Sequence, residues 1–360
     1  MYYTFELLLL LPFLFLLKTA DTQQQVYQPV VIGFYNCENL YDTLDDPNIY
    51  DEEFLPGGVR RYNSSRYDHK ISQLARVIAV MGTTVNKDGA ALLGVAEIEN
   101  YNVLRDLVRH PLLSSRHYQI VHYDSKDARG VDVGLLYQPQ YFTPDSSKAL
   151  PVSLPIDNYL SPKGEVHRTR DILWVSGLLN GERVDCYVNH WPSRLGGERY
   201  SFPSRAAAAN VCRRHSDSVM TARPGSKLIV MGDFNDDPVS RSITRVLGAA
   251  GDRSKVAPGQ LYNPWQQLYR KGTGTLAYQD TWSLFDQILI SYPFLLKPQT
   301  GYFFYKAVVL REPWMQEPAG RYKGYPMRSW DRYSYRGGFS DHFPVYIVLL
   351  KAAGQIRAIQ

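Results

Sequence analysis

Residues Lys227 to Pro238 read KLIVMGDFNDDP, and this stretch decides how the rest of the chain is interpreted. The apolar residues Leu228 to Met231 predict a buried strand that ends at Gly232. Asp233 and Asn235 follow at once, and alternate residues of an extended segment share a face. Because α/β proteins place their chemistry at strand ends, the stretch predicts a functional edge of a sheet. An Asx turn that only caps the strand is the alternative.

Other apolar runs of the chain also have polar side chains at one end. Each run has the length of a strand, so pairing of the strands would gather these side chains at the rim of a sheet. The residues concerned are Asn36 after 30–35, Glu97 after 91–96, His190 after 183–189, Asp286 within 285–290, and Asp341 with His342 before 345–350.

The order of these motifs resembles the endonuclease/exonuclease/phosphatase superfamily, whose fold is that of DNase I. GDFN at 232–235 followed by SDHFP at 340–344 is specific in combination, and FYNCENLYD at 34–42 is similar to secreted bacterial members. The resemblance covers 30–350 and implies one catalytic domain at 26–354. It also implies an α/β fold, the four-layer α/β/β/α sandwich of two mixed β-sheets.

Hydrophobic periodicity predicts helices and strands along the whole chain. Helices are expected at 62–81, 101–110, 204–220 and 239–247. Strands are expected at 30–36, 91–96, 118–123, 131–137, 171–179, 183–189, 227–232, 285–291, 301–309 and 344–350. This mixture favours mixed sheets with helices outside, although taken alone it leaves a doubly wound sheet open.

The composition is that of an ordinary globular protein, with 360 residues, 44% hydrophobic and 21% charged. A net charge of +5 favours anionic substrates without separating nucleic acid from phospholipid or inositol phosphate. Three cysteines give no disulfide framework, and Cys37, Cys186 and Cys212 are expected to be small buried residues. A monomer without an obligate protein partner is expected.

The N-terminus differs in character from the rest of the sequence. Leu7 to Leu17 is almost continuously apolar, and this run is shorter than the ~20 residues that span a bilayer. Residues 1–20 are therefore interpreted as a signal peptide cleaved near Ala20, which predicts an exported protein. Glu6 and the lack of a basic residue before the run leave an uncleaved membrane anchor as the alternative.

The resemblance implies a divalent cation held by oxygen ligands, expected to be Mg²⁺, with Mn²⁺ or Ca²⁺ as other possibilities. Such a cation neutralises the phosphate and stabilises the leaving oxygen in phosphate ester hydrolysis. Magnesium keeps several waters and needs few protein ligands. By the resemblance, the metal ligands are Asn36, Glu97 and Asp341; for Asn36, a simple turn is the alternative.

The resemblance also assigns the catalytic residues. Asp286 should orient His342, which acts as base or phosphate partner, because a buried carboxylate on one ring nitrogen fixes the tautomer. Asp233 should contact the attacking water or a second metal, and Asn235 should hold a phosphate oxygen. His190 should donate to the phosphate, with a satisfied structural histidine as the alternative.

Substrate contacts are expected from basic side chains. Arg170 is interpreted as a phosphate clamp or, equally, a solvated strand-edge charge. Residues 313–338, hereafter the insertion, interleave basic and aromatic residues, a pattern that suits stacking on bases and binding of phosphates. Arg321, Lys323 and Arg328 are its predicted phosphate contacts; a self-packed surface loop is the alternative.

Together these features predict a divalent-metal-dependent phosphoesterase, foremost a nuclease that hydrolyses nucleic-acid phosphodiester bonds. The same core would also serve a phospholipid or sphingomyelin phosphodiesterase, or an inositol phosphate phosphatase. A non-catalytic binding module is a third hypothesis, and the complete set of acids, amides and histidines argues against it.

Overall fold

Two large β-sheets organise the chain in the computed structural model, which describes residues 26–155, 169–297 and 301–353. The predicted signal peptide at 1–20 lies outside the described residues. The first sheet has six strands in the order β14-β17-β1-β2-β4-β3. Numbered in chain order, they are β1 (Tyr27–Leu40), β2 (Ala90–Ile98), β3 (Gln119–His122), β4 (Asp132–Tyr137), β14 (Phe303–Val309) and β17 (Val345–Ala352).

The second sheet has seven strands in the order β5-β6-β7-β8-β13-β10-β9. Both sheets mix parallel and antiparallel pairs; β1 is parallel to β2, and β7 is parallel to β8. The strands are β5 (Phe142–Leu150), β6 (Ile172–Leu179), β7 (Glu182–His190), β8 (Lys227–Asp233), β9 (Ala249–Ala250), β10 (Leu261–Tyr262) and β13 (Asp286–Ser291).

Helices cover the outer faces of the two sheets. Asn63 caps α1 by accepting from the backbone N–H of Arg66, and Asn100 caps α2. Within the described residues, no helix has the length and apolarity needed to cross a membrane. The helices are α1 (Ser64–Val80), α2 (Tyr101–Arg109), α3 (Pro111–Ser114), α4 (Glu198–Ala222) and α5 (Trp265–Arg270), with a π-helical turn at Ser242–Val246.

Three apolar clusters define the layers. Alternate residues of β1 point to opposite faces: Ile32 packs between the sheets with Met231 of β8, whereas Val31 packs outward with Ile78 of α1. On the far side, Cys212 of α4 packs with β8. The order helix, sheet, sheet, helix confirms the predicted four-layer α/β/β/α sandwich.

The structure differs from the sequence prediction in three longer segments, and it adds short elements that were not predicted, including α3, α5, β9, β10 and two short hairpins. Strand β5 was not predicted, because it is an edge strand whose polar, Pro-containing sequence TPDSSK reads as a loop. Helix α4 begins at Glu198 and includes Pro203, although proline normally marks a boundary. Most of the helix expected at 239–247 is a π-helical turn.

Two short hairpins stand beside the sheets. The first pairs β11 (Leu276–Tyr278) with β12 (Thr281–Ser283), and the second, inside the insertion, pairs β15 (Trp330–Asp331) with β16 (Ser334–Tyr335). The insertion leads directly into the SDH motif at 340–342, so it borders whatever that motif forms.

Candidate active site

Strand register places three of the predicted residues side by side. His190 at the end of β7 pairs with Asp233 at the end of β8, and Asp233 pairs with Asp286 at the start of β13. The first sheet contributes Asn36, which pairs with Ala96 next to Glu97. The two sheets therefore present their polar ends at one common edge.

The Asp286–His342 pair is present as predicted. Nδ1 of His342 donates to Oδ2 of Asp286 at 2.7 Å, and both residues are buried. Burial opposes a charged imidazole, but the carboxylates, first of all Asp286 and then Asp233, outweigh it and raise the pKa of His342 well above its usual range. This favours an imidazolium that donates through Nε2.

His190 faces the same acids from the opposite side. Its Nε2 lies 3.7 Å from Oε1 of Glu97 and 3.8 Å from Oδ2 of Asp233. Burial, reinforced by the charges of Arg170 and Arg129, pushes the pKa of His190 well below its usual range. The surroundings therefore shift the pKa of the two histidines in opposite directions, downward for His190 and upward for His342.

Asp233 lies at the centre of the group. Its Oδ2 accepts from Nδ2 of Asn36 at 3.0 Å, and its Oδ1 accepts from the backbone N–H of Asn235 at 2.9 Å. Burial raises the pKa of Asp233 to about 7, against the lowering effect of His342. A carboxyl group with such a pKa is suited to proton transfer near neutral pH.

The amide of Asn36 is held by two hydrogen bonds. Its nitrogen donates to Asp233, and its oxygen accepts from the backbone N–H of Glu38 at 2.9 Å. A carbonyl oxygen has two lone pairs, so one remains available to a cation. The metal-ligand role of Asn36 stays a prediction beside this positioning role.

Glu97 and Asn235 adopt unusual backbone conformations, with φ of 57° and 48°. Left-handed conformations are uncommon for residues other than glycine and cluster at functional sites. Oε2 of Glu97 accepts from the backbone N–H of Asn39 at 2.9 Å, and Oε1 faces His190. Nδ2 of Asn235 donates to the carbonyl of Trp191 at 2.9 Å.

Asp341 lies beside the dyad and is bound to the insertion. Its Oδ2 accepts from a guanidinium N–H of Arg328 at 2.9 Å. Burial acts to raise the pKa of Asp341, yet His342 and then Arg328 hold it below its ordinary value. Oδ1 of Asp341 has no hydrogen-bond partner among the described residues and is available to a cation.

The donor set fits a hard divalent cation. Carboxylates and amide oxygens are what magnesium, manganese and calcium prefer, and Asn36, Glu97 and Asp341 supply such oxygens at this edge. The charge of several buried acids is compensated only in part by His342, so a cation would relieve the remaining repulsion.

Arg170 is neither an exposed phosphate clamp nor a solvated strand-edge charge. It is only 7% exposed, and its guanidinium donates to the carbonyls of His190 and Trp191 and to Oδ2 of Asp127. These bonds fix the end of β7, so Arg170 positions His190. The sequence does not reveal this inward orientation, because the partner Asp127 lies 43 residues away in the chain.

The predicted contacts within the insertion separate into two groups. Arg321 and Arg328 line a cavity beside Asp341, whereas Lys323 does not. Arg321 forms an exposed ion pair with Asp280 at 3.4 Å.

Two residues near the site were not predicted from sequence. The hydroxyl of Ser340 donates to the backbone carbonyl of Asn36 at 2.7 Å and accepts from the N–H of His342, so it joins the SDH motif to β1. Glu38 is buried and accepts from the backbone N–H groups of Ser329 and Trp330, which anchors the insertion. Both residues could have been found from the sequence, because Ser340 lies in the SDH motif and Glu38 lies in NCEN at 36–39.

Residues 31–351 match the model of the Endonuclease/Exonuclease/phosphatase family, and the chain belongs to that family. The fold and the site thus define a phosphoesterase of the DNase I-like superfamily. No curated protein sequence matches the chain.

Solved structures with the same architecture include three with low sequence identity. An endonuclease/exonuclease/phosphatase family protein from Bacteroides thetaiotaomicron is 16% identical with a TM-score of 0.54, covering 91% of this chain and 100% of that one. The B. thetaiotaomicron mannosyl-6-phosphatase Bt3783 is 17% identical, TM-score 0.53, covering 89% and 99%. TDP2 from D. rerio, complexed with a single strand DNA product, is 13% identical, TM-score 0.51, covering 89% and 98%. These likenesses establish the fold.

Proposed function

We propose that this phosphoesterase depends on a divalent metal ion and hydrolyses phosphodiester bonds of nucleic acids. The observation that carries the proposal is the buried constellation of the Asp286–His342 pair, His190 and the carboxyl of Asp233 at one sheet edge. A pure binding module has no need of a buried carboxylate that orients a histidine, as Asp286 orients His342.

Glu97 and Asp341, with Asn36, would hold the cation, for which Mg²⁺ is the first candidate and Mn²⁺ or Ca²⁺ the others. When bound, the cation would neutralise the phosphate and stabilise the leaving oxygen. The same acids would lose part of their mutual repulsion.

The remaining roles follow from the charge states. Asp233, with its pKa of about 7, takes the proton of the attacking water. His342, held as an imidazolium by Asp286, donates from Nε2 to a phosphoryl oxygen instead of acting as the base. Neutral His190 and the amide of Asn235 add hydrogen bonds to the developing charge.

The insertion favours nucleic acid among phosphodiester substrates. Arg321, Lys323 and Arg328 belong to a stretch, 321–336, that has five basic residues against the single acid Asp331. Tyrosines alternate with these cations, and sequence-tolerant binding of single strands combines both features. The net charge of +5 acts in the same direction. We further propose that the protein is exported and acts as a monomer.

A panel of substrates tests the proposal. Single-stranded DNA, RNA, sphingomyelin and inositol phosphates are assayed with magnesium, and again with excess chelator. Hydrolysis of a polynucleotide that chelator abolishes is the expected result. Preference for sphingomyelin or an inositol phosphate would refute the nuclease proposal, and activity that survives chelator would refute metal dependence.

A further inference from the structure

A cavity of about 480 Å³ lies between the β11–β12 hairpin and the insertion, with Asp341 in its wall. Asp341 precedes His342 in the chain, so the cavity adjoins the catalytic centre. Cavities of about 300–1,000 Å³ accommodate small-molecule groups. Apart from Asp341, none of the predicted catalytic or metal-binding residues lines it, whereas the predicted substrate contacts Arg321 and Arg328 do.

The walls of the cavity are joined to each other. The hydroxyl of Tyr325, from the insertion, donates to Oδ1 of Asp280 at the tip of the hairpin, at 2.8 Å. The ring of Trp282 packs edge-on against Tyr325 at 5.5 Å and stacks on Phe343 at 6.2 Å. Phe343 follows His342, so these contacts join the cavity wall to the SDH motif.

Cationic groups dominate the available hydrogen-bond donors of the cavity. Arg336 forms long ion pairs with Glu317 and Asp331, at 3.5 and 3.8 Å, and is 47% exposed. Such exposed pairs are weak, so their guanidinium groups exchange readily to a phosphate. Arg332 also lines the cavity, and the ion pairs of the cavity's arginines within residues 26–155, 169–297 and 301–353 involve Arg321, Arg328 and Arg336 but not Arg332.

Aromatic surface lies beside these cations. Tyr278 on the hairpin is 72% exposed and Tyr322 on the insertion is 54% exposed, and both line the cavity. Tyrosine rings at that exposure keep apolar surface in contact with water, which is unfavourable. They also offer faces on which a nucleotide base can stack. A purely apolar ligand would make no use of the arginines of the lining, and a purely ionic ligand would make no use of its tyrosine rings.

We propose that the cavity binds the nucleotide next to the scissile phosphate, with that nucleotide's own second phosphate on Arg332 and Arg336. A tyrosine ring of the lining stacks on its base. The inference rests on the proposed function, because it requires the catalytic centre to cleave the phosphodiester bond next to the bound nucleotide. It predicts that the enzyme prefers substrates with two phosphates, one cleaved and one bound.

Thymidine dinucleotides test this preference. The unmodified dinucleotide is compared with forms that have an added 5′-phosphate or an added 3′-phosphate, and with bis(p-nitrophenyl) phosphate as a diester too small to reach the cavity. One of the two phosphorylated forms should show a kcat/KM at least tenfold above the unmodified dinucleotide. Arg332→Gln should remove most of that gain and leave the small diester unchanged.

Lys306→Gln is the matched control, because Lys306 on β14 is exposed, does not line the cavity and has no assigned role in substrate binding. It should retain the full preference. The cavity assignment is overturned if both variants lose the preference equally, or if neither added phosphate raises kcat/KM. Hydrolysis of the small diester still tests the proposed function in that case.

A binding measurement separates the two failures. Thymidine 3′,5′-bisphosphate and the tighter-binding of the two thymidine monophosphates are titrated into the full-length protein in the presence of Ca²⁺, so that the comparison isolates the second phosphate. The bisphosphate should bind at least tenfold more tightly, and Arg332→Gln should abolish the difference. If no diester is hydrolysed, the proposed function is refuted. The titration then tests by itself whether the cavity binds a nucleotide phosphate, and equal binding of the two ligands would refute that proposal.

Discussion

His342 donates from Nδ1 to the carboxylate of Asp286 at 2.7 Å, across 56 residues of chain. Asp286 begins β13, whereas His342 lies in the loop that enters β17 of the other sheet. The pair therefore bridges the two sheets at the common edge. Its orientation leaves Nε2 directed toward Asp233, at 4.0 Å.

Asp286→Asn should leave the imidazole in place but remove the charge that sustains its cationic form. We expect kcat to fall by about 10²–10⁴-fold, close to the effect of His342→Ala. The double variant should be no worse than His342→Ala, because the two residues act as one unit. Losses that multiply in the double variant would show that they act separately.

Glu97→Gln should retain the acceptor for the N–H of Asn39 while removing a negative charge from the site. Magnesium affinity and activity at fixed magnesium should fall by orders of magnitude, with the free energy of unfolding nearly unchanged. Magnesium titrations of activity, together with urea unfolding, measure both. An unchanged magnesium dependence would remove Glu97 from the metal site.

Arg170→Met should break two bonds to carbonyls at the end of β7 and leave the buried Asp127 with only the longer ion pair to Arg129, at 3.6 Å. The loss of unfolding free energy should be about 3–5 kcal/mol, and activity should fall with it. Adding Asp127→Asn should restore part of the stability, because a buried charge that has lost its closer partner is then gone. If the double variant is no more stable than Arg170→Met, the ion pair is not the cause.

Gly232→Ala should destabilise the strand that carries Asp233. A Cβ at this position would lie 2.3 Å from the backbone oxygen of Asn189 on β7, and backbone cannot give way. We expect a loss of about 1–3 kcal/mol in urea unfolding. Gly57→Ala is the control, since nothing lies within 4 Å of its Cβ. Equal stability of the two variants would contradict the close approach.

His215 should make stability depend on pH far from the site. Burial, followed by the charge of Lys148, lowers the pKa of His215 in the folded state. The unfolded chain then binds more protons below its ordinary pKa, so the free energy of unfolding decreases as pH falls through that region. His215→Gln should flatten the curve between about pH 5 and 7. A curve of unchanged slope would exclude His215 as its source.

The local pattern of apolar residues was sufficient to predict the central strands of the two sheets. The apolar runs that end at Asn36 and Asp233 predicted central strands correctly, because both faces of those strands are buried. The edge strand β5 escaped prediction, since an edge tolerates the polar residues and proline that elsewhere indicate a loop.

The sequence by itself determined which residues have chemical capacity, through GDFN at 232–235 and SDH at 340–342, and it determined the central strands. Only the tertiary structure decided their charges and partners. Burial of Asp233 raises its pKa to about 7, and packing turns Arg170 inward to Asp127. Such effects depend on residues distant in the chain that meet where little water remains, and no local spacing encodes that environment.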